Sequence, residues 1–453
     1  MNVTGLNSIE KKASLSLATV FGMRMIGLFM ILPVFAIYGV ELQGYSPMWL
    51  GLAIGAYGFT QAVLQIPMGI LSDKFGRKPI IISGLIVFCI GSIIAGLSDS
   101  VYGVVIGRAI QGMGAIASAT LALAADLSRE EHRPKVMATI GMFIGLSFAI
   151  AMVLGPLVTD SFGLSGLFYL TAILAVVGIG LVVFVVPNSV NSAPPGDLLP
   201  IPSKLFNLAK DAQLFRINFG VFVLHLALTA MFVSLPIMLT DVGFAVSDHW
   251  QLYLPALLVS FVFMVPFMIW AIKKQKEKQV FCAAIILMTI ALTTLWLSHD
   301  SLWIMVVLVM MFFTAFNYLE ATMPSTLSRI APAGEKGSAM GMYSSCQFFG
   351  AFCGGVAGGI VQTYFDDGAV FLFCALLLVF WFFVALGMPA VKKSKSLSFS
   401  VNFNDEAHAQ QIANELSKVP GVLESTIVYS DSVAYLKLDD AIVDIEQVRA
   451  ILA

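Results

Sequence analysis

Two long apolar segments of this chain are joined by the short charged sequence Gly69-Ile70-Leu71-Ser72-Asp73-Lys74-Phe75-Gly76-Arg77-Lys78. Gly69 lies four residues before Asp73 and shares its helix face, where the missing side chain permits close helix approach. Asp73 stands at a helix C-terminus, where the negative end of the helix dipole disfavours a carboxylate, so it needs a positive partner. Gly76 permits a tight turn. The segment therefore predicts a tight helix–helix junction with specific ion-pair partners.

The composition around this junction is that of a membrane protein. Of the 453 residues, 58% are hydrophobic and 11% are charged, whereas soluble domains have about 45–50% and about 25%. These figures exclude a disordered chain, a coiled coil and a small disulfide scaffold. The net charge of −2 excludes a polybasic nucleic-acid binder. The five cysteines all fall in apolar segments without metal-site spacing, so we expect no metal site and no cofactor.

Twelve apolar segments are long enough to cross a bilayer, since a spanning helix needs about 20 residues. We number them as spans 1–12, and we predict them at residues 14–39, 47–71, 79–97, 101–126, 135–159, 164–187, 213–240, 250–272, 279–298, 301–325, 337–364 and 368–389. No nucleophile–base pair or metalloprotease-type motif occurs in them, so an enzyme is not expected.

The loop charges predict the orientation. Alternate loops, counted from the N-terminus, contain 19 Lys and Arg residues, and the opposite loops contain none. Positive loops stay in the cytoplasm, so both termini are predicted to be cytoplasmic, in a bacterial inner membrane. We call the Lys/Arg-bearing side of the molecule the basic face and the other side the opposite face.

The chain also contains an internal repeat. The tripeptide Leu-Ser-Arg ends at Arg129 and again at Arg329, and the dipeptide Gly-Met begins at Gly141 and at Gly341, both with an offset of 200. This repeat predicts two six-helix bundles, at residues 1–187 and 213–391, joined by a Pro-rich linker at 188–212. The predicted fold is an all-α polytopic membrane protein of two pseudo-repeats.

The junction sequence matches the G-x-x-x-D-[RK]-x-G-[RK]-[RK] signature of the major facilitator superfamily at every position, and residues 14–389 resemble that family, in particular its proton-linked drug antiporters. The resemblance implies alternating access driven by the proton gradient. We expect the junction to be a conformational switch in which Arg77 pairs with Asp126 and Asp73 meets the start of span 11 near Gly337. Together they would lock the basic face shut. In the second half Met268 and Ile272 replace Gly69 and Asp73, so that copy is expected to have lost the switch.

Few charged or titratable side chains lie inside the spans. Span 4 contains Arg108 and Gln111 in a sequence that resembles the family's R-x-x-Q-G motif, and the resemblance implies that Arg108 supports proton transfer. Arg24 in span 1 and His225 in span 7 are further candidates, and Glu320 in span 10 is the one carboxylate well inside any span. A carboxyl group in a desolvated site binds a proton more readily, and imidazole does so near neutrality. Static pairing or packing roles remain alternatives.

Two glycine-rich spans are candidate gates. Span 5 contains Gly141, Gly145, Gly155 and Pro156, and span 11 contains Gly337 and Gly341 near its start. The antiporter signature of span 5 is incomplete, because Ala151, Thr159 and Asp160 stand where that signature has glycine. Small residues permit close packing, which by itself does not fix a transport direction.

Residues 397–453 change to a soluble pattern. The order of alternating and helical periodicities is β-α-β-β-α, with a hairpin turn around Ser430-Asp431, which resembles a ferredoxin-like domain. This tail has 3 Lys and Arg against 9 Asp and Glu, a net charge of −6, whereas residues 1–396 have 22 against 18, a net charge of +4. We therefore expect the tail to contact the basic loops in a salt-dependent manner.

The expected function is proton-driven export of small amphipathic compounds by a monomer in the lipid bilayer. Two alternatives stay open at this stage. One is a proton symporter or facilitator for a nutrient, and the other is a membrane sensor that signals through its tail without transport. The sequence does not identify the substrate, because fold does not determine it.

Overall fold

The protein is described here from a computed structural model. It defines residues 5–129, 132–188, 202–298, 300–388, 395–401, 403, 405–429, 432–439 and 442–452. Most of the predicted linker and the predicted turn at Ser430-Asp431 lie outside these residues.

Eleven helical segments of the described chain are long and apolar enough to cross a membrane. One of them continues through residues 135–184, a length of about 75 Å at 1.5 Å per residue, which is too long for one crossing. Gly163, with φ 66° and ψ −177°, interrupts it and separates spans 5 and 6. The twelve predicted spans are thus present.

The helices agree with the predicted segments and extend several of them, except at span 1, which was predicted to reach residue 39. Its helix ends at Phe29 and is followed by turns and a short separate helix, Phe35–Tyr38. Spans 1 to 4 are Ser8–Phe29, Pro47–Phe75, Arg77–Gly96 and the broken pair Val101–Met113 and Ala117–Asp126, and spans 5 and 6 share Arg133–Phe184. Spans 7 to 12 are Ala212–Asp241, Trp250–Lys274, Glu277–Leu297, Leu302–Ile330, Lys336–Tyr364 and Asp367–Leu386. A linker helix, Pro202–Lys210, precedes span 7.

The two halves repeat one another in their contacts as well as in their sequence. In the first half the Lys78 ammonium donates to the Val186 carbonyl at 2.6 Å, and in the second half Lys278 donates to the Leu386 carbonyl at 2.8 Å. Lysine and acceptor are offset by 200 in both cases. Each lysine thus satisfies a carbonyl at the end of its half's last span, where helical carbonyls lack partners.

The tail is a small α+β domain. Its strands are β1 (Lys395–Ser400), β2 (Val422–Val428) and β3 (Val433–Leu438), and its helices are α1 (Glu406–Leu416) and α2 (Ile445–Leu452). The sheet order is β1-β3-β2 with both pairs antiparallel, as the predicted hairpin requires. The helices pack on one face of the sheet and form an apolar core there.

Candidate functional site

The junction between spans 2 and 3 folds around the Arg77 guanidinium. Span 2 ends at Phe75, span 3 begins at Arg77, and Gly76 between them has φ 93° and ψ 150°, a conformation that suits glycine. Arg77 Nη2 lies 2.7 Å from Asp73 Oδ1, and Nε lies 3.1 Å from Asp126 Oδ2. Nη1 donates to Ser72 Oγ at 2.8 Å. The predicted pairing of Arg77 with Asp126 is present.

The two carboxylates of this junction differ in environment. Asp126 is only 2% exposed, whereas Asp73 is 46% exposed, so water competes for one partner of Arg77 and not for the other. The Arg77–Asp126 pair therefore anchors the junction inside the first half. The outer side of the Asp73 carboxylate is open to solvent in this conformation. The sequence predicts that Asp73 contacts the start of span 11 when the basic face is closed.

This conformation is not closed at the basic face. One apolar cluster fills the second half and takes in first-half residues near the opposite face, such as Phe35 and Leu50. Near the basic face the first half has a separate cluster, made of its own residues such as Leu17, Ile81, Leu123 and Val136. The halves are joined at the opposite face and packed separately at the basic face, which is an arrangement open toward the basic face.

Glycines make the contact between spans 2 and 11 possible. A side chain at Gly51 would collide with the Gly355 carbonyl, and a side chain at Gly359 would collide with the Pro47 carbonyl. Further toward the middle of the membrane, Ser345 Oγ donates to the Ala62 carbonyl at 2.9 Å. Backbone-to-backbone packing at this depth requires residues without side chains, so span 11 meets the first half through its glycines.

The candidate gate glycines of span 5 behave differently from one another. Gly155 packs tightly, because a Cβ there would approach the Met30 carbonyl to 2.6 Å. Gly141 has open space where its Cβ would stand, and the nearest atom to a Cβ at Gly145 is Phe261 Cζ at 3.8 Å. The tight packing of Gly155 is thus not repeated at Gly141 or Gly145, and the Gly145 contact with Phe261 of span 8 is an ordinary van der Waals contact between the two halves. Gly337 and Gly341 of span 11 are buried.

The second half retains more of the junction than its sequence predicts. Glu277, 200 residues after Arg77, pairs with Arg329, whose Nη1 lies 2.9 Å from Glu277 Oε2. The ion pair has the reverse polarity, with the acid at the junction and the base on span 10. A cavity of about 180 Å³ lined by both side chains opens beside it. That this copy has lost the switch stays a prediction, and the structure adds that it has the equivalent lysine contact and a charge-reversed ion pair.

Arg24 is held inside the first half by a chain of amides. Its Nη2 donates to Gln61 Oε1 at 2.7 Å and to the Gly114 carbonyl at 3.0 Å. Gln61 continues to Gln65 at 2.7 Å, and Gln65 to Ser118 at 2.9 Å. Span 4 is broken at residues 114–116, so the Gly114 carbonyl is free of a helical partner and can accept from a buried guanidinium.

Arg108 occupies a second buried site close by. Its Nη1 donates to Gln111 Oε1 at 2.9 Å, as their shared helix face predicts, and Gln111 donates to Ser92 Oγ at 2.8 Å. The Tyr57 ring lies between the two guanidinium groups, with its centroid 5.2 Å from Arg108 Cζ and 5.6 Å from Arg24 Cζ. Aromatic faces stabilise cations in desolvated sites, which helps to explain two arginines at this depth.

The second half contains a separate cluster that joins spans 7, 10 and 11. Gln347 Nε2 lies 2.8 Å from His225 Nε2 and donates to Glu320 Oε1 at 3.1 Å. His225 Nε2 and Glu320 Oε2 are 3.7 Å apart. Glu320 is 35% exposed and His225 is largely buried. The structure thus brings together two of the sequence candidates and separates both from Arg24 and Arg108.

The contacts of His225 favour one neutral tautomer. Its Nδ1 lies 3.2 Å from the Val221 carbonyl, which can only accept, so Nδ1 carries the hydrogen. Nε2 then accepts from the Gln347 amide. A proton added at Nε2 would oppose the amide donor and would instead favour the Glu320 carboxylate. Gln347 therefore lies between the imidazole and the carboxylate and is hydrogen-bonded to both.

Tyr57 and Gln347 do not stand out in the sequence. Tyr57 is one of many aromatic residues in the spans, and Gln347 is one of several polar ones. Only their contacts in three dimensions set them apart from the others. The one available signal for Gln347 is that it is the only amide side chain of span 11 before Gln362. Among the described residues, no group of three His, Cys, Asp or Glu side chains has metal-binding geometry.

Comparison with protein families gives a clear match. The family model described as Major Facilitator Superfamily matches residues 17–354 and 217–420. The inner membrane transport protein YajR of Escherichia coli is 44% identical over 98% of this chain and 97% of its own length. The multidrug resistance protein 2 of Bacillus subtilis is 27% identical over 82% of this chain and 92% of its own.

Solved structures show the same fold. A bacterial homologue of the human lysosomal transporter Spinster matches with a TM-score of 0.67 and 13% identity, and covers 84% of this chain and 97% of its own. The human organic anion transporter MFSD10 matches with a TM-score of 0.64 and 17% identity, and covers 84% and 100%. At these identities the likeness concerns the fold alone.

Proposed function

This chain belongs to the major facilitator superfamily of membrane transporters, and from that premise we propose that it exports small amphipathic compounds in exchange for protons. The observation that carries the proposal is the cluster of His225, Gln347 and Glu320. Spans 7 and 11 contact each other through glycines, and span 11 also contacts span 2 of the other half. Protonation in the cluster therefore acts on a helix that joins the halves.

In the proposed exchange of substrate for protons, the partly exposed side chain of Glu320 is the group that binds and releases the proton. From the conformation open toward the basic face, predicted to be cytoplasmic, water reaches the carboxylate and can take up or deliver a proton. Adding a proton removes the charge, changes the hydrogen bond from Gln347, and alters the position of span 11. A shift between conformations requires such a difference in interaction between the two states.

The junction at the basic face supplies the other half of the cycle. We propose that Gly69, Asp73, Gly76, Arg77, Lys78 and Asp126 form a switch that stabilises the closed basic face. The buried Arg77–Asp126 pair holds the junction in shape, and the exposed Asp73 is poised to meet the start of span 11. Release of that contact gives the open conformation described above.

Transport against an imposed pH gradient tests the proposal. Proteoliposomes that contain the protein and are acidic inside should accumulate ethidium, a fluorescent amphipathic cation, at a rate above that of empty vesicles. Glu320→Gln, which keeps the shape but cannot ionise, should reduce gradient-driven uptake at least about tenfold. Glu41→Gln, an exposed carboxyl on the opposite face, is the matched control and should transport normally.

Two results would contradict the proposal. Equal gradient-driven rates for Glu320→Gln and the control would remove Glu320 from proton coupling. Uptake that is fastest when the proton gradient points the other way would instead favour the symporter alternative.

A further inference from the structure

The sheet of the tail has a second face that is covered by the membrane-embedded body. Ala434, Leu436 and Leu438 of β3 belong to the tail's own core. Val433, Tyr435 and Lys437 alternate with them and point away from that core, yet every residue of β3 is buried. A three-stranded sheet with helices on one side would leave this second face in water, so its burial identifies a contact with the rest of the chain.

The contact partner is the loop between spans 10 and 11. Val433 and Tyr435 form an apolar cluster with Ala333 and with Val428 of β2. The Tyr435 ring lies against Gly334, where an added Cβ would come within 2.9 Å of Tyr435 Cδ2. Gly334 has φ 77°, so glycine serves both the backbone conformation and the close approach of the ring.

Lys437 completes this contact with charge. Its Nζ lies 3.3 Å from the Ile330 carbonyl and 3.3 Å from the Ala331 carbonyl. Span 10 ends at Ile330, and the carbonyls of a helix's last turn lack internal partners and carry the negative end of its dipole. A buried ammonium at this position therefore caps span 10.

Glu424 of β2 ties the lysine and the loop together. One carboxylate oxygen lies 3.3 Å from Lys437 Nζ, and the other accepts from the Ala333 backbone N–H at 3.2 Å. On the far side of the loop Glu335, at the start of span 11, pairs with Lys204 of the linker helix at 3.1 Å. The loop that leads into span 11 is thus held by the tail on one side and by the linker helix on the other.

We propose that the second face of the tail sheet is a docking surface for the loop 331–335 and that docking stabilises the conformation open toward the basic face. Closure moves the start of span 11 toward the junction of spans 2 and 3. The distance or angle between the end of span 10 and the start of span 11 must therefore change at this loop. A tail bound to both the end of span 10 and the loop resists that change. The inference uses alternating access, which the proposed function also assumes, but it does not use proton coupling.

Distance measurements on the full chain test the docking surface. Fluorophores introduced as non-canonical amino acids at positions 74 and 274, at the basic-face ends of spans 2 and 8, report the separation of the halves. Lys437→Met removes the capping ammonium and should raise the ratio of closed to open molecules roughly threefold or more. Lys418→Met removes an exposed lysine of the same domain and should leave the ratio unchanged.

A second arm does not depend on the folding of Lys437→Met. In a protein whose five native cysteines are replaced by alanine, a disulfide between Ala333→Cys and Val433→Cys fixes the docked tail. We expect the closed population to fall when the disulfide forms and to return on reduction. Equal distances in Lys437→Met and Lys418→Met, or a closed population that the disulfide leaves unchanged, would overturn the inference. Neither readout depends on ethidium transport or on Glu320, so failure here is distinct from failure of proton-driven export.

Discussion

Asp73 shows how exposure separates two carboxylates that bind the same arginine. Asp126 is held inside the first half, whereas Asp73 is 46% exposed and is free to change partners as the basic face closes. Asp73→Asn should therefore leave membrane insertion intact and reduce transport several-fold, because the closed conformation loses a charged contact. Ethidium flux in proteoliposomes measures the effect, with Lys11→Gln, an exposed lysine outside the signature, as control. Wild-type rates in Asp73→Asn would show that the junction serves only topology.

Gln347 connects the two proton-binding side chains, and its loss should affect coupling more than flux. Gln347→Leu keeps a similar volume but removes the hydrogen bonds to His225 and Glu320. We expect ethidium movement to continue with fewer protons exchanged per molecule, which parallel dye and pH recordings measure. Gln362→Leu changes the same residue type in the same span, where the amide contacts Asp367, and should leave the ratio unchanged. An unaltered ratio in Gln347→Leu would assign Gln347 a packing role.

At the residue scale, the sequence identified the functional side chains more reliably than it identified the groups that they contact. Arg108 with Gln111, and Arg77 with Asp126, follow from helix spacing and from the position of helix ends. Arg24 with the Gly114 carbonyl does not, because it depends on a break in span 4 that no proline marks. Gln347 with His225 and Glu320 depends on which faces of three spans meet, and periodicity alone does not determine that.

At the scale of elements, the two junctions allow a direct comparison of a buried ion pair with a partly exposed one. Asp126 is 2% exposed, whereas Glu277 and Arg329 are 31% and 19% exposed. Asp126→Asn leaves Arg77 without its buried partner and should lower the free energy of unfolding by about 3 kcal/mol or more. Glu277→Gln should cost less than about 1 kcal/mol. Thermal unfolding of the two variants in the same detergent measures the difference, and equal losses would contradict this account.

The spans themselves were predictable because bilayer thickness fixes their length and loop charge fixes their alternation. The break in span 4 and the near-continuity of spans 5 and 6 were not predictable, since hydropathy averages over the few residues where a helix bends. The order of strands and helices along the tail follows from alternation, helical periodicity and turn residues. Its second buried face did not, because nothing in the sequence of β3 shows that the alternate residues are covered by a distant loop.

At the scale of the whole molecule, the charge difference between the tail and the rest of the chain contributes less to docking of the tail than its magnitude suggests. A tail of net charge −6 beneath basic loops predicts docking that weakens with salt. The described contacts are instead apolar, or join tail side chains to the loop backbone, with Lys437 on two carbonyls and Glu424 on the Ala333 N–H. Buried contacts of this kind are weakly screened. We therefore expect the yield of the disulfide between Ala333→Cys and Val433→Cys to change less than about twofold between low and 0.5 M salt. A steep fall would restore the electrostatic interpretation.

The central claim, exchange of substrate for protons, is tested most directly by letting substrate drive the protons. Proteoliposomes loaded with ethidium and a pH-sensitive dye are diluted into ethidium-free buffer at the same pH, so that only the ethidium gradient supplies free energy. The account predicts that the vesicle interior becomes acidic as ethidium leaves, and that Glu320→Gln abolishes this acidification. An interior that becomes alkaline, or ethidium efflux without any pH change in the wild-type protein, would contradict it.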